Sequence, residues 1–197
     1  MSVILHELAH GYSALMLGDQ TAKYAGRLTL NPLKHLDPVG SVIFPILMVI
    51  FQLNIPPDSR VIFGWAKPVP YNPYNLRNQK WGEAIVAIAG PLTNVLLALV
   101  FGLIIRIGTS MEALSPAVIQ LSSIIVLINI VLGIFNLVPI PPLDGSKVLF
   151  TFLPFKFQAW RYQLERFGFL ILLFFIFFLW RFILPLIILF FHILTGI

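Results

Sequence analysis

The chain has 197 residues, of which 58% are hydrophobic and 11% are charged, whereas soluble domains carry about a quarter charged residues. With a mean hydropathy of +0.92, the composition excludes a water-soluble globule and predicts an integral membrane protein. Basic loops facing the cytoplasm account for the net charge of +5, and no basic-aromatic stripe indicates a nucleic-acid partner. Because the chain has no cysteine, a metal site must use His, Asp or Glu.

Five apolar segments follow one another without an internal repeat, at residues 1–17, 39–55, 83–107, 117–138 and 167–197. A spanning helix needs about 20 residues, which the third and fourth segments provide. The predicted fold class is an all-α, multi-pass bundle of four to five membrane segments in a single domain, 1–197. Its core lies at 1–150, and further membrane segments lie at 166–197.

The second segment contains Pro45 and is predicted to be re-entrant or interfacial. If it leaves the bilayer on the side where it entered, the basic residues of several loops share one side. These residues are Lys23, Arg27, Lys34, Arg60, Lys67, Arg77, Lys80, Lys147, Lys156 and Arg161. The loop at 108–116 then lies on the opposite side and has no Lys or Arg, as the positive-inside rule favours.

Two shorter stretches also carry structural signals. Residues 23–30, with Gly26 in the middle, predict a small β-hairpin, and an amphipathic loop is the alternative. In the last segment, Arg181 and Pro185 predict a helix to about Phe182 and then a second piece at the far membrane interface.

The segment His6-Glu7-Leu8-Ala9-His10 carries the chemical signal. Two histidines four residues apart lie on one face of a helix and can bind one Zn²⁺ ion. The adjacent Glu7 can act as a general base on the attacking water. Ionisable groups in an apolar helix are costly unless they are paired or functional, and a structural His-Glu-His network is the alternative.

A catalytic zinc site needs a third protein ligand. Asp144 is the candidate because it follows an apolar helix that three prolines end, and Gly145 behind it allows a tight turn. An ordinary Asp-Gly turn explains the same residues.

Three further motifs complete a resemblance. They are Asn31-Pro32-Leu33-Lys34-His35-Leu36-Asp37-Pro38, Gly90-Pro91-Leu92-Thr93-Asn94 and Asn136-Leu137-Val138-Pro139-Ile140-Pro141-Pro142-Leu143-Asp144-Gly145. Together with the His-Glu-His segment, residues 1 to about 150 resemble the site-2 protease family, intramembrane zinc metalloproteases of the M50 type, in the compact prokaryotic branch without a PDZ domain.

The resemblance implies residue roles. One zinc ion per chain would be bound by His6, His10 and Asp144, with Glu7 as the catalytic base. Asn94 and Asn136 would contact the substrate backbone or oxyanion, or else hydrogen-bond neighbouring helices. His35 would be a partner of water or zinc, or would hold its loop through Asp37.

The resemblance also implies a function: hydrolysis of a peptide bond in or near a substrate's transmembrane helix, close to the cytoplasmic face of a prokaryotic cell membrane. The expected partners are that transmembrane segment and the lipid bilayer, while the oligomeric state is left open. A non-proteolytic zinc-binding membrane protein and an inactive homologue that binds transmembrane helices are the alternatives. Family members usually have a complete transmembrane helix before the zinc-binding one, so the sequence is expected to lack that helix.

Overall fold

A computed structural model describes residues 1–56, 64 and 66–197, and within these ranges the regular structure is helical, with no strand. Eight α-helices are described: α1 Ser2–Met16, α2 Thr21–Tyr24, α3 Phe44–Phe51, α4 Gly82–Ser110, α5 Pro116–Leu137, α6 Asp144–Phe152, α7 Gln158–Phe174 and α8 Leu184–Thr195. Two π-helical stretches, Pro38–Ile43 and Phe175–Leu179, precede α3 and follow α7.

Helix α4 is the centre of the bundle and packs against α1, α5, α6 and α8. Buried apolar side chains of α4, α5 and α8 form the main core: Ala98, Ile105, Val126, Ile130 and Ile187. Among the described residues, three helices are long and apolar enough to cross a bilayer, namely α4, α5 and the run Gln158–Phe182. The described chain is therefore an all-helical membrane bundle, and the exact number of membrane segments stays a prediction.

The second apolar segment folds as six residues of π-helix and eight of α-helix. The Asp37 carboxylate begins this run by accepting hydrogen bonds from the N–H groups of Val39 and Gly40. At 1.5 Å per residue the run is about 21 Å long, shorter than the ~30 Å hydrocarbon core. Re-entry stays a prediction, and Arg60 lies outside the described residues.

The predicted β-hairpin at 23–30 is wrong. Residues 23–30 contain no strand: their first two residues end α2, and the Asp19 carboxylate accepts hydrogen bonds from the N–H and hydroxyl of Thr21 at the start of that helix. Gly26 takes a left-handed φ of 63° just past its end, as glycines do after helices. The N–H groups of residues 24–27 donate to carbonyls three to five residues earlier, so they are not available to a second strand.

Extended pairing occurs elsewhere, between segments far apart in the sequence. Leu36 forms an isolated antiparallel bridge with Ala66, and the Lys67 N–H donates to the His35 carbonyl. Residues 66–70, called the strap below, then pass across α1. A Cβ on Gly11 of α1 would lie 2.8 Å from Val69 Cγ1, so this glycine permits the close approach.

The chain after α7 continues through the π-helical stretch and a short turn at Trp180–Phe182 before α8 begins. Helix α8 packs on α4 and α5, where Gly102 makes room for Leu194 and Arg106 donates to the Ile193 carbonyl. Its depth relative to a membrane interface stays a prediction.

Candidate metal centre

Helices α1 and α6 bring three predicted ligands together. His6 Nε2 and His10 Nε2 are 3.0 Å apart, and they lie 3.2 Å and 3.1 Å from Asp144 Oδ2. All three side chains are buried. A tetrahedral zinc ion with ligand distances of about 2.0–2.1 Å needs its ligand atoms roughly 3.4 Å apart, so the triangle has nearly the required size.

A chain of buried amides fixes the tautomer of His6. The Asn129 amide donates through Nδ2 to the Ile125 carbonyl, which turns its Oδ1 towards Asn94 Nδ2 at 2.8 Å. Asn94 therefore presents Oδ1 to His6 Nδ1 at 2.5 Å, and this contact requires a proton on Nδ1. The lone pair of Nε2 is left for a metal.

His10 reaches the same state through the backbone. Its Nδ1 lies 2.7 Å from the Val86 carbonyl of α4, which can only accept, so Nδ1 carries the proton. Two Nε2 lone pairs and a carboxylate oxygen then face one another at close range. Mutual repulsion opposes this arrangement unless a proton or a metal cation lies between them, and the donor set of two imidazoles and a carboxylate suits zinc.

Two glycines create the space for these ligands. A Cβ on Gly90 of α4 would lie 2.5 Å from His10 Nε2 and 2.6 Å from His6 Nε2. A Cβ on Gly145 would lie 2.2 Å from the Leu137 carbonyl oxygen at the end of α5. Gly145 lies inside α6, so it serves close packing of α6 on α5 rather than the tight turn expected from the sequence.

The second oxygen of Asp144 has its own partner. Lys147 Nζ lies 3.4 Å from Asp144 Oδ1 and 5.3 Å from the centre of the Tyr71 ring. Burial by itself lowers the pKa of the Lys147 amine, but Tyr71 and Asp144 outweigh burial and raise that pKa above its ordinary value. Lys147 is therefore cationic and holds the carboxylate with Oδ2 towards the histidines.

Glu7 is held by the strap. Its Oε2 accepts a hydrogen bond of 2.7 Å from the Val69 N–H. Val69 is buried between Pro68 and Pro70, which have no N–H, so the strap offers one backbone donor at this point. Among the described residues no other group bonds the carboxylate, which leaves Oε1 available for chemistry.

The remaining predicted residues lie in different settings. Asn94 is fully buried and contacts His6, while the half-buried Asn136 donates to the Leu132 carbonyl of its own helix. His35 is outside the ligand cluster and its Nε2 bonds the Thr29 carbonyl rather than Asp37. The substrate roles of these three residues stay predictions.

Sequence reasoning missed Asn129 and Val69. The signal for Asn129 was present, because an amide in the middle of an apolar helix needs a buried partner. The signal for Val69 was weaker: one N–H between two prolines shows a single donor but not the group it reaches.

Comparison with known proteins agrees with a zinc-binding site of this kind. The profile of Peptidase family M50 matches residues 102–179. The "Putative zinc metalloprotease YwhC" of Bacillus subtilis is 39% identical over 88% of this chain and 75% of its own length. The "Putative zinc metalloprotease Rip2" of Mycolicibacterium smegmatis is 31% identical over 87% of this chain and 61% of its own length. No solved structure matches the chain.

Proposed function

The chain belongs to Peptidase family M50, and from this premise we propose that it is an intramembrane protease that cleaves a membrane-protein substrate within or beside a transmembrane helix. The observation that carries the proposal is the buried triangle of His6, His10 and Asp144 with Glu7 adjacent to its first ligand. The three long apolar helices support a site at membrane depth.

The enzyme is a zinc metalloendopeptidase, with His6, His10 and Asp144 as the residues that would hold the ion. When bound, zinc would polarise the scissile carbonyl as a Lewis acid and would lower the pKa of the attacking water so that it can lose a proton near neutral pH. Asn94 and the Val86 carbonyl keep both histidines in the tautomer that binds metal. Lys147 balances the charge of Asp144 without occupying Oδ2.

Glu7 takes the proton of the attacking water and delivers it to the leaving amine. The Val69 N–H anchors Oε2, so the carboxylate keeps one orientation while Oε1 exchanges the proton. A helical substrate hides its carbonyls in i to i−4 hydrogen bonds, so the segment to be cut must unwind before it reaches the buried centre.

Cleavage close to the cytoplasmic face is supported by the charges around the centre. Asp144 follows the end of α5, where Lys147 lies in α6 and Arg161 of α7 pairs with Glu83 at the start of α4. The positive-inside rule counts Lys and Arg rather than net charge, so these residues support a cytoplasmic position for this end of the bundle.

The test uses Glu7→Gln, which keeps the size of the side chain and an oxygen for the Val69 N–H. We expect cleavage of a reconstituted transmembrane substrate to fall about 10²–10⁴-fold, with bound zinc unchanged. Full proteolysis by the zinc-loaded variant would contradict the mechanism. A zinc-loaded native protein that binds such helices without cutting them would favour the inactive homologue.

A further inference from the structure

A basic cavity of about 720 Å³ lies on the side of the strap that faces the loop before α3. Its cationic wall consists of Arg27, Lys34 and Lys67, and the metal ligands are not part of it. Asp37 also lines the cavity, but its Oδ1 accepts hydrogen bonds from the N–H groups of Val39 and Gly40 and begins the helical run. The cavity is therefore lined by three cationic side chains and by one carboxylate, which is already hydrogen-bonded to the start of a helix.

Arg27 is the unusual member of this wall because it is only 8% exposed. A guanidinium has five N–H donors, yet the hydrogen bond described for Arg27 is a long one, 3.4 Å from Nη2 to the Pro68 carbonyl. None of the ion pairs among the described residues includes it. A buried guanidinium without a carboxylate is costly, so an anion bound against this wall would stabilise Arg27.

The apolar surroundings indicate the class of anion. Pro38 in the cavity wall begins the helical run that ends at Phe51, in which no residue of α3 is buried. Leu33 and Leu36 on the rim are exposed as well. In a membrane protein, exposed apolar side chains beside cations lie at the level of the lipid headgroups, and basic pockets there bind anionic headgroups.

We propose that Arg27, Lys34 and Lys67 form a binding site for the phosphate headgroup of an anionic phospholipid. The buried Arg27 provides planar, paired donors for the phosphate oxygens. The exposed Lys34 and Lys67 add charge at the mouth of the cavity. The rim leucines and the apolar run after Pro38 contact the acyl chains.

The test measures the thermal unfolding midpoint of the purified, zinc-loaded full chain in neutral detergent. Dioctanoyl phosphatidylglycerol, dioctanoyl phosphatidylcholine or inorganic phosphate is added in separate titrations. We expect a saturable rise with phosphatidylglycerol alone. Arg27→Gln abolishes the rise relative to its own lipid-free midpoint, and Lys34→Gln reduces it. Arg166→Gln, which removes an exposed arginine of α7, keeps the full rise.

Equal responses to both lipids, or an unchanged rise in Arg27→Gln, would overturn the proposal. An equal rise with inorganic phosphate would assign the cavity to a free anion instead. If Arg27→Gln kept the lipid response but cleaved substrates with an acidic juxtamembrane residue more slowly, the cavity would be a substrate subsite. Should Arg27→Gln fail to fold, the double variant Lys34→Gln/Lys67→Gln must lose the rise, because both side chains are exposed; retention would overturn the proposal.

Discussion

Asn129 acts on the metal centre from two hydrogen bonds away. Its Nδ2 donates to the Ile125 carbonyl and the Ser2 hydroxyl, so its Oδ1 orients the Asn94 amide, whose own Oδ1 accepts from His6 Nδ1–H and so favours the Nδ1-protonated tautomer. In Asn129→Leu the Asn94 amide loses its partner and no longer presents one defined atom to His6. Loss of such an outer partner typically lowers metal affinity about 10–100-fold, which competition with a chelator measures.

Thr93→Val is the matched control for Asn129→Leu. Thr93 neighbours Asn94, but its hydroxyl donates only to the Ala89 carbonyl of the same helix. Its zinc affinity should equal that of the native protein. If Asn129→Leu bound zinc as tightly as Thr93→Val, the amide chain would have no part in preparing His6.

Gly90→Ala tests whether the ligands need the bare backbone of α4. The added methyl group would lie only 2.5 Å and 2.6 Å from the two Nε2 atoms, so the histidines would have to move apart. We expect the purified variant to contain almost no zinc. Gly133→Ala is the control, since its methyl group would come no closer than 3.6 Å to any neighbour, and it should keep one zinc ion per chain. Full metal content in both variants would contradict the packing argument.

Among the elements, the strap is the one that holds Glu7, the predicted catalytic base. Val69→Pro removes the N–H that holds Glu7, and the position before Pro70 already favours the extended backbone that proline accepts. A hydrogen bond to a charged group contributes about 1.5–3 kcal/mol, so kcat should fall about 10–100-fold with zinc content and KM unchanged.

Val69→Ala is the control for the strap, because it keeps the N–H and removes only the contact of the side chain with α1. Its kcat should stay close to the native value. Equal kcat in the proline and alanine variants would show that Glu7 needs no anchor from the strap.

The sequence predicts best those elements whose formation depends mainly on the burial of apolar side chains in the membrane. Long apolar runs with charges absent or near the ends predict α4 and α5, and both fold as long helices. The hairpin prediction was wrong because the Asp19 carboxylate begins a short helical turn and Gly26 ends it. Over so few residues, the sequence of a helical turn resembles the alternation of a strand. Pairing of Leu36 with Ala66 joins segments that no local pattern connects.

The candidate site likewise has a part that the sequence predicts and a part that it does not. Side-chain chemistry and a family resemblance are enough to nominate His6, His10 and Asp144, which the fold brings together. The Val69 N–H is a backbone group, and its use depends on where the strap crosses α1. Gly90 appears in a recognised motif, but its role follows only from the 2.5 Å approach of His10.

At the scale of the whole molecule, zinc would join two distant parts of the chain. His6 and Asp144 are 138 residues apart, and α1 and α6 each pack mainly against α4. The metal would therefore be a cross-link between two helices whose main common support is α4. Ligand atoms that repel one another without a cation make the metal-free bundle less stable still.

Zinc removal should therefore lower the stability of the entire bundle. A ligand present at 1,000 times its Kd stabilises the folded state by about 4.1 kcal/mol, so chelation should lower the thermal unfolding midpoint by on the order of 10 °C. Asp144→Asn should show the lower midpoint with or without zinc, since it loses a ligand. Glu7→Gln keeps all three ligands and should respond to chelation as the native protein does. If chelation shifted Asp144→Asn as much as Glu7→Gln, the ion that stabilises the bundle would be bound somewhere other than the triangle of His6, His10 and Asp144.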